Sequence, residues 1–149
     1  MQHTGKRFNL RVYGLLINAA NEVLVSDEMR YGRAFTKFPG GGLEWGEGLR
    51  EALKREFREE LNLDCIVLDL YYVNDFFQAS AFRADDQLLS FYFRVALEEF
   101  DQIPATSHNW PLTEEGEKFR WLSLEEIHED QFTFPIDQLV AKRLRLQAK

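Results

Sequence analysis

The sequence predicts one domain of the α/β (α+β) class. Three observations carry this. The chain has 149 residues with no internal repeat or linker, five stretches are rich in strand formers, and one long stretch between them has helical periodicity. With 45% hydrophobic and 29% charged residues, a chain of this size can bury a core without disulfides or a structural metal.

In chain order, Phe8 to Asn18 (FNLRVYGLLIN) reads as a strand, Asn18 to Asn21 as a turn, and Glu22 to Ser26 (EVLVS) as the second arm of a hairpin. Asp27 to Lys37 is charged and aperiodic, and reads as a loop. The segment Phe38-Pro39-Gly40-Gly41-Gly42 breaks any regular element. Helical pattern starts near Glu47 or Gly48, where Leu49, Leu53, Phe57 and Leu61 recur every four residues with Ala52 beside them. The helix is expected to stop near Asn62, a residue that tolerates the left-handed conformation of a helix end. Cys65 to Phe76 and Leu88 to Leu97 follow as strands, joined by the polar segment Ala79 to Gln87. Glu98 to Lys118 is irregular, and Phe119 to Leu124 is a further strand. Ser123 and Glu126 have the spacing of a capping box for a short helix, Leu124 to Glu129, and a last helix spans about Pro135 to Leu146.

A formal net charge of -7 argues against sequence-independent binding to a nucleic-acid polymer, which needs a basic face. It also makes an anionic ligand awkward unless cations accompany it. Cys65 is the only cysteine, so an internal disulfide and a Cys-rich zinc site are excluded. No apolar run has the length of a membrane span, and Met1 to Arg7 lacks the apolar core of a signal peptide, so the expected compartment is the cytoplasm, with no membrane partner.

The predicted helix carries Glu56, Glu59 and Glu60 within about a third of its circumference. Each like-charged pair at that spacing costs about 0.2–0.5 kcal/mol. Glu51–Arg55 and Arg55–Glu59 are favourable pairs, so a solvated, ion-paired helix face is one account. It leaves unexplained the preceding glycine run and the further acids Glu44 and Glu47. A divalent cation site is the other account. Clustered carboxylates suit hard ions such as Mg²⁺ or Mn²⁺, glycine carbonyls can add ligands, and the ion relieves the repulsion.

Gly41, five residues, Glu47, seven residues, then Arg55-Glu56-Phe57-Arg58-Glu59-Glu60-Leu61-Asn62-Leu63 resembles the Nudix box, G-x5-E-x7-R-E-U-x-E-E-x-G-U with U a bulky apolar residue. Every fixed position matches except the last glycine, where Asn62 stands. The resemblance implies the Nudix fold, a mixed sheet between helices in an α/β/α sandwich. It implies Mg²⁺-dependent (or Mn²⁺-dependent) hydrolysis of a nucleoside diphosphate linked to another group X, a small-molecule substrate, in a chain that is often a homodimer. Carried over, Glu59 and Glu60 are metal ligands, Glu56 is a ligand or the general base, and a Gly40 or Gly41 carbonyl is a further ligand. Arg55 orients a glutamate, and Glu47 positions Arg55 and the loop. An additional acid is expected after the box, at Glu114 or Glu115.

Arg30, Arg33 and Lys37, in the segment before the box, are candidates to reach substrate phosphates; solvated surface is the alternative reading. Tyr72, Phe76, Phe77, Trp45 and Trp110 could stack a base, or pack in the core or its rim. His3, His108 and His128 show no ligand spacing. Three rivals share the fold: a nucleotide-binding sensor without catalysis, a prenyl-diphosphate isomerase, and an RNA-end hydrolase. The intact box disfavours the first, the position of Cys65 the second, and the acidic charge the third.

Overall fold

A computed structural model describes residues 5–99 and 102–148, so His3 lies outside the described residues. Its elements are β1 (Arg7–Leu16), β2 (Glu22–Arg30), β3 (Arg33–Lys37), β4 (Gly40–Gly42), α1 (Leu49–Leu61), β5 (Ile66–Val73), β6 (Asp86–Ala96), β7 (Gly116–Ser123), a 3-10 turn (Glu129–Gln131) and α2 (Pro135–Gln147). Two sheets form. The first, β4-β1-β6-β5, is mixed, since β1 and β6 run parallel; the second, β3-β2-β7, is antiparallel.

Successive side chains of a strand point to opposite faces. Val12 and Leu16 of β1 pack with Leu53, Phe57 and Leu61 of α1. Tyr13 and Leu15 pack with Ile136, Val140 and Leu144 of α2. The helices therefore cover opposite sides, which is the α/β/α sandwich expected. Phe57 sits so close to β1 that a Cβ at Gly14 would lie 2.6 Å from its ring, so the absence of a side chain at Gly14 sets the depth of α1. Asn62 ends α1 in the left-handed region, with φ of 55° and its N–H donating to Arg58 O.

Three expectations are corrected. The β1–β2 hairpin is a turn between two sheets, closed by Asn18 N–H on Glu22 O and a single bridge, Ile17 to Val23. Buried on both faces from Val12 to Leu16, β1 lies inside the first sheet, with β4 and β6 as its neighbours. The expected loop Asp27–Lys37 is strand, because β2 runs on to Arg30, turns at Tyr31-Gly32 with positive φ at both, and returns as β3. Its charges read as loop residues, but Asp27 pairs with Arg120 of β7 and Glu28 with Lys37 of β3. The short helix at Leu124–Glu129 is a turn followed by the 3-10 turn; Ser123 does cap it, its Oγ accepting from Glu125 N–H at 3.3 Å. Among the described residues no helix is long and apolar enough to cross a membrane.

Candidate active site

The glycine run forms β4, antiparallel to β1, with Gly41 opposite Val12 and Gly42 opposite Arg11. It passes under α1. A Cβ at Gly41 would stand 2.5 Å from Glu56 Oε1, so only glycine leaves room for that carboxylate. Arg55, one residue earlier, faces back over the loop. Its Nε and Nη2 donate to the two oxygens of Glu47 at 2.6 and 2.9 Å, and Nη2 also reaches Gly42 O at 3.0 Å. Its Nη1 donates to Glu56 at 3.1 Å and Glu59 at 3.3 Å. One guanidinium thus ties the loop, the approach to the helix and two of the box glutamates together. Hydrogen bonding to Glu47, followed by Glu56, holds Arg55 firmly in its charged form, and the same bond holds the Glu47 carboxyl below its usual range.

Glu60 points inward. Its Oε2 is buried and, among the described residues, has no hydrogen-bond partner. Burial pushes its pKa up to about 8, with Glu117, Glu56 and Glu28 adding repulsion and Lys37 opposing them. Glu28 on β2 and Glu117 on β7 face each other across the second sheet and share Ser26, whose Oγ lies 3.0 Å from Glu28 and 3.2 Å from Glu117. Burial and the neighbouring Glu28 push Glu117 up to about 7. Glu28 stays below its ordinary value because Lys37 and Arg30 outweigh its own burial, so Glu117 is the member of the pair that takes a proton.

A cleft of about 640 Å³ opens beside this cluster. Glu28, Glu56, Glu60 and Gly40–Gly42 line it, as do Arg30 and Lys37. Arg30 Nε is bound to Glu28 at 2.8 Å. Lys37 is 7% exposed, and its ammonium is held by Glu28 and by the carbonyls of Phe38 and Gly40. Arg33 is not on the cleft wall; it braces the wall from behind, donating to Ala81 O at 3.0 Å and lying 4.6 Å over the Phe82 ring. Glu59 and Glu47 also lie off the wall, Glu59 largely exposed. Glu115 turns away altogether: it is exposed and accepts from Gly32 N–H at 3.1 Å. The acid that the fold brings to the cluster from beyond the box is Glu117.

None of Tyr72, Phe76, Phe77, Trp45 and Trp110 lines the cleft, so packing at the core or its rim is the reading of them that the fold leaves. Phe35, Phe82 and Phe134 line it, forming a triangle with ring centroids 5.4 to 5.6 Å apart. Arg11 lines it as well. Its Nε donates to Tyr13 hydroxyl at 2.8 Å, and among the described residues it has no carboxylate ion pair. Asp137, on the first turn of α2, faces the same space; burial pushes it up to about 6 while the Tyr92 hydroxyl holds it. Reading Asp27–Lys37 as loop concealed Glu28. The alternation Ser26, Glu28 on one strand face was the signal available.

The oxygen-only donor set and the orphaned Glu60 oxygen fit a hard divalent ion. Among the described residues no three His, Cys, Asp or Glu side chains are placed, as they stand, to hold a metal ion together. Glycine loop, clamped glutamate helix and acid cluster beside a nucleotide-sized cleft define an enzyme of the pyrophosphohydrolase class. The chain belongs to the NUDIX domain family, whose model matches residues 7–142. It is 26% identical over 135 residues to an 8-oxo-dGTP diphosphatase of Escherichia coli K12, covering 89% of this chain and 94% of that protein. It is equally similar, over 122 residues, to an 8-oxo-dGTP diphosphatase of Haemophilus influenzae, covering 80% and 79%. A NUDIX hydrolase structure from Nitrosomonas europaea superposes with a TM-score of 0.69 at 20% identity, covering 96% of this chain and 91% of that one, which is a likeness of fold.

Proposed function

We propose that the protein hydrolyses a diphosphate linkage in a nucleotide-type small molecule with Mg²⁺, or Mn²⁺ in its place, in a reducing cytoplasm. The observation that carries this is the buried, unpartnered Glu60 oxygen beside Glu56 in the cleft. A buried acceptor without a donor is costly, and a cation removes that cost. The ion would be held by Glu56, Glu59 and Glu60 with the Gly41 carbonyl, since Gly40 O already accepts from Lys37, and Glu117 takes the place expected of Glu115. Bound there, it would neutralise phosphate oxygens and acidify a water.

The chain's own residues do the remainder. Arg55 and Glu47 fix Glu56 at the cleft wall, where its carboxylate takes the proton of the attacking water. The water oxygen bonds to phosphorus as the bond to the bridging oxygen breaks, and each product leaves with a phosphate. Arg11, whose terminal nitrogens have no hydrogen-bond partner among the described residues, grips non-bridging phosphate oxygens. Phe35, Phe82 and Phe134 offer a stacking wall for the base. The 8-oxo-dGTP diphosphatase relatives make oxidised purine nucleoside triphosphates the first compounds to try.

The test is a panel of nucleotides, nucleotide sugars and oxidised nucleotides with Mg²⁺, following phosphate and pyrophosphate release. Turnover by wild type that collapses in Glu56→Gln and in Glu59→Gln/Glu60→Gln is expected. Tight nucleotide binding with no turnover anywhere would make the protein a sensor instead.

A further inference from the structure

Lys37 was a candidate phosphate ligand, and its environment gives it a different task. It closes β3 opposite Ser26 and points to the same face as Phe35, into the cleft. An ammonium has three N–H donors. Here three acceptors surround it: Glu28 Oε2 at 3.2 Å, Phe38 O at 3.3 Å and Gly40 O at 3.1 Å. With two hydrogen bonds to carbonyls and an ion pair to Glu28, the ammonium is engaged within the fold. The side chain is 8% exposed, with the Glu28 carboxylate as its direct counter-ion and two backbone carbonyls completing its surroundings.

Gly40 O is one of the oxygens a metal would be expected to use, and Glu28 is the most deeply buried acid of the cluster. Lys37 engages both, the Gly40 carbonyl at 3.1 Å and Glu28 through Oε2, while Arg30 holds Glu28 Oε1 at 2.8 Å. We propose that Lys37 is a resident cation of the active site, permanently filling a position among Glu28, Glu60, Glu117 and the Gly40 carbonyl that would otherwise require a divalent ion. The site therefore works with one metal ion fewer than its number of acids suggests. This rests on the reading of the cluster as a divalent-cation site.

The electrostatic logic is the one that brings metals to such clusters. Four carboxylates from three elements, Glu28, Glu56, Glu60 and Glu117, repel one another, and a positive centre offsets this. A tethered ammonium does so without dehydrating an ion and at any metal concentration. It cannot acidify a water or bridge two phosphate oxygens as Mg²⁺ does. The arrangement thus separates two tasks: Lys37 neutralises the Glu28 side, while the Glu60 Oε2 side stays open for the ion that does chemistry.

The experiment counts Mn²⁺ bound per chain, by the electron paramagnetic resonance signal of free Mn²⁺, in wild type, Lys37→Gln and Lys37→Gln/Glu28→Gln. Thermal unfolding is followed with and without saturating Mn²⁺. Lys37→Gln is expected to bind one ion more than wild type and to gain more in midpoint from Mn²⁺. If Lys37→Gln folds only with Mn²⁺ present, the ion has replaced the ammonium, which also supports the proposal. The double variant keeps the cluster's net charge and is expected to return to the wild-type count. An unchanged count and unchanged Mn²⁺ stabilisation in Lys37→Gln overturn the proposal while the metal reading stands, and so does a double variant that gains an ion as the single one does. Wild type that binds no Mn²⁺ overturns both.

Discussion

Gly41 and Glu56 occupy each other's space: the nearest carboxylate oxygen would be 2.5 Å from a methyl group on Gly41. The box joins them at a spacing of fifteen residues, and β4 under α1 is where that spacing closes. The backbone at Gly41 is not in the left-handed region, so an alanine there strains nothing locally; it displaces Glu56. A shift of about 1 Å in a reacting group can cost on the order of 100-fold in rate. Gly41→Ala is expected to lower kcat at least ~10-fold with a much smaller change in KM. Steady-state kinetics on the best substrate of the panel decide it; a variant with wild-type kcat would show that Glu56 is not held where it acts.

Arg55 makes the second prediction. Its fork meets both oxygens of Glu47 while Nη1 serves Glu56 and Glu59. A lysine keeps the charge and loses the planar, two-sided geometry. Arg55→Lys is therefore expected to be nearly as inactive as Arg55→Gln, both at least ~10-fold below wild type. The cluster is partly exposed, so unfolding midpoints in urea should move little. Full activity in Arg55→Lys would reduce Arg55 to a charge.

How much of this could be read beforehand depends on the range of the interactions. Helix α1 was legible down to its cap because Leu49, Leu53, Phe57, Leu61 and Asn62 act within a few residues of one another. The box was legible because its spacing carries Glu47 and Arg55 into contact. The β2–β3 hairpin was hidden, because Asp27 is partnered by Arg120, 93 residues away, by His108 in the irregular segment before β7, and by Thr36 only once β3 folds back. A buried acid with distant partners looks like a loop acid until the fold supplies them. The same limit hid Glu117, because β7 begins at Gly116 rather than Phe119, and only that pairing with β2 sets Glu117 against Glu28. Arg11, within a strand read as core, gave no sign of facing a cleft.

The acid cluster predicts how stability depends on pH. Glu60 and Glu117 have folded pKa values raised to about 8 and about 7, above those of the unfolded chain. Between the unfolded and folded values the native state binds more protons, so stability falls as pH rises. The metal-free protein is expected to lose midpoint temperature from about pH 5 to pH 8, by ~5 °C or more. A tenfold difference in proton affinity between folded and unfolded states is worth about 1.4 kcal/mol, and each kcal/mol moves the midpoint roughly 2–4 °C at this size. Glu60→Gln or saturating Mg²⁺ should flatten the slope. A midpoint that rises across this range in the metal-free protein would mean the carboxylates are not crowded in solution.

Arg11 should separate binding from chemistry. Among the described residues it has no carboxylate ion pair; it lines the cleft beside Gly42 and feels the charges of Glu56 and Asp137. Arg11→Gln is expected to raise KM by ~10-fold or more, since a charged hydrogen bond is worth about 1.5–3 kcal/mol. Mn²⁺ binding should stay at the wild-type level, and Arg11→Lys should recover part of the loss. A fall in kcat with KM unchanged would instead place Arg11 with the groups that act in the transition state.

The last prediction sets Glu117 against Glu115. The two stand two residues apart, on either side of Gly116, yet meet different surroundings. Glu115 is exposed and holds the turn at Gly32, whereas Glu117 is half-buried against Ser26 and Glu28, in the field of Glu60. Replacing either by glutamine keeps its size and most of its hydrogen bonding, so only charge and ligand strength change. Glu117→Gln is expected to weaken Mn²⁺ binding about tenfold, roughly 1.4 kcal/mol, at neutral pH. It should also flatten part of the pH slope, because the repulsion it exerts on Glu60 is gone. Glu115→Gln should leave both unchanged and at most loosen the β2–β3 turn, seen as faster amide exchange at Gly32. Equal losses in the two variants would mean that the effect comes from the strand's overall charge, and a loss in Glu115→Gln alone would return the extra ligand to the segment before β7.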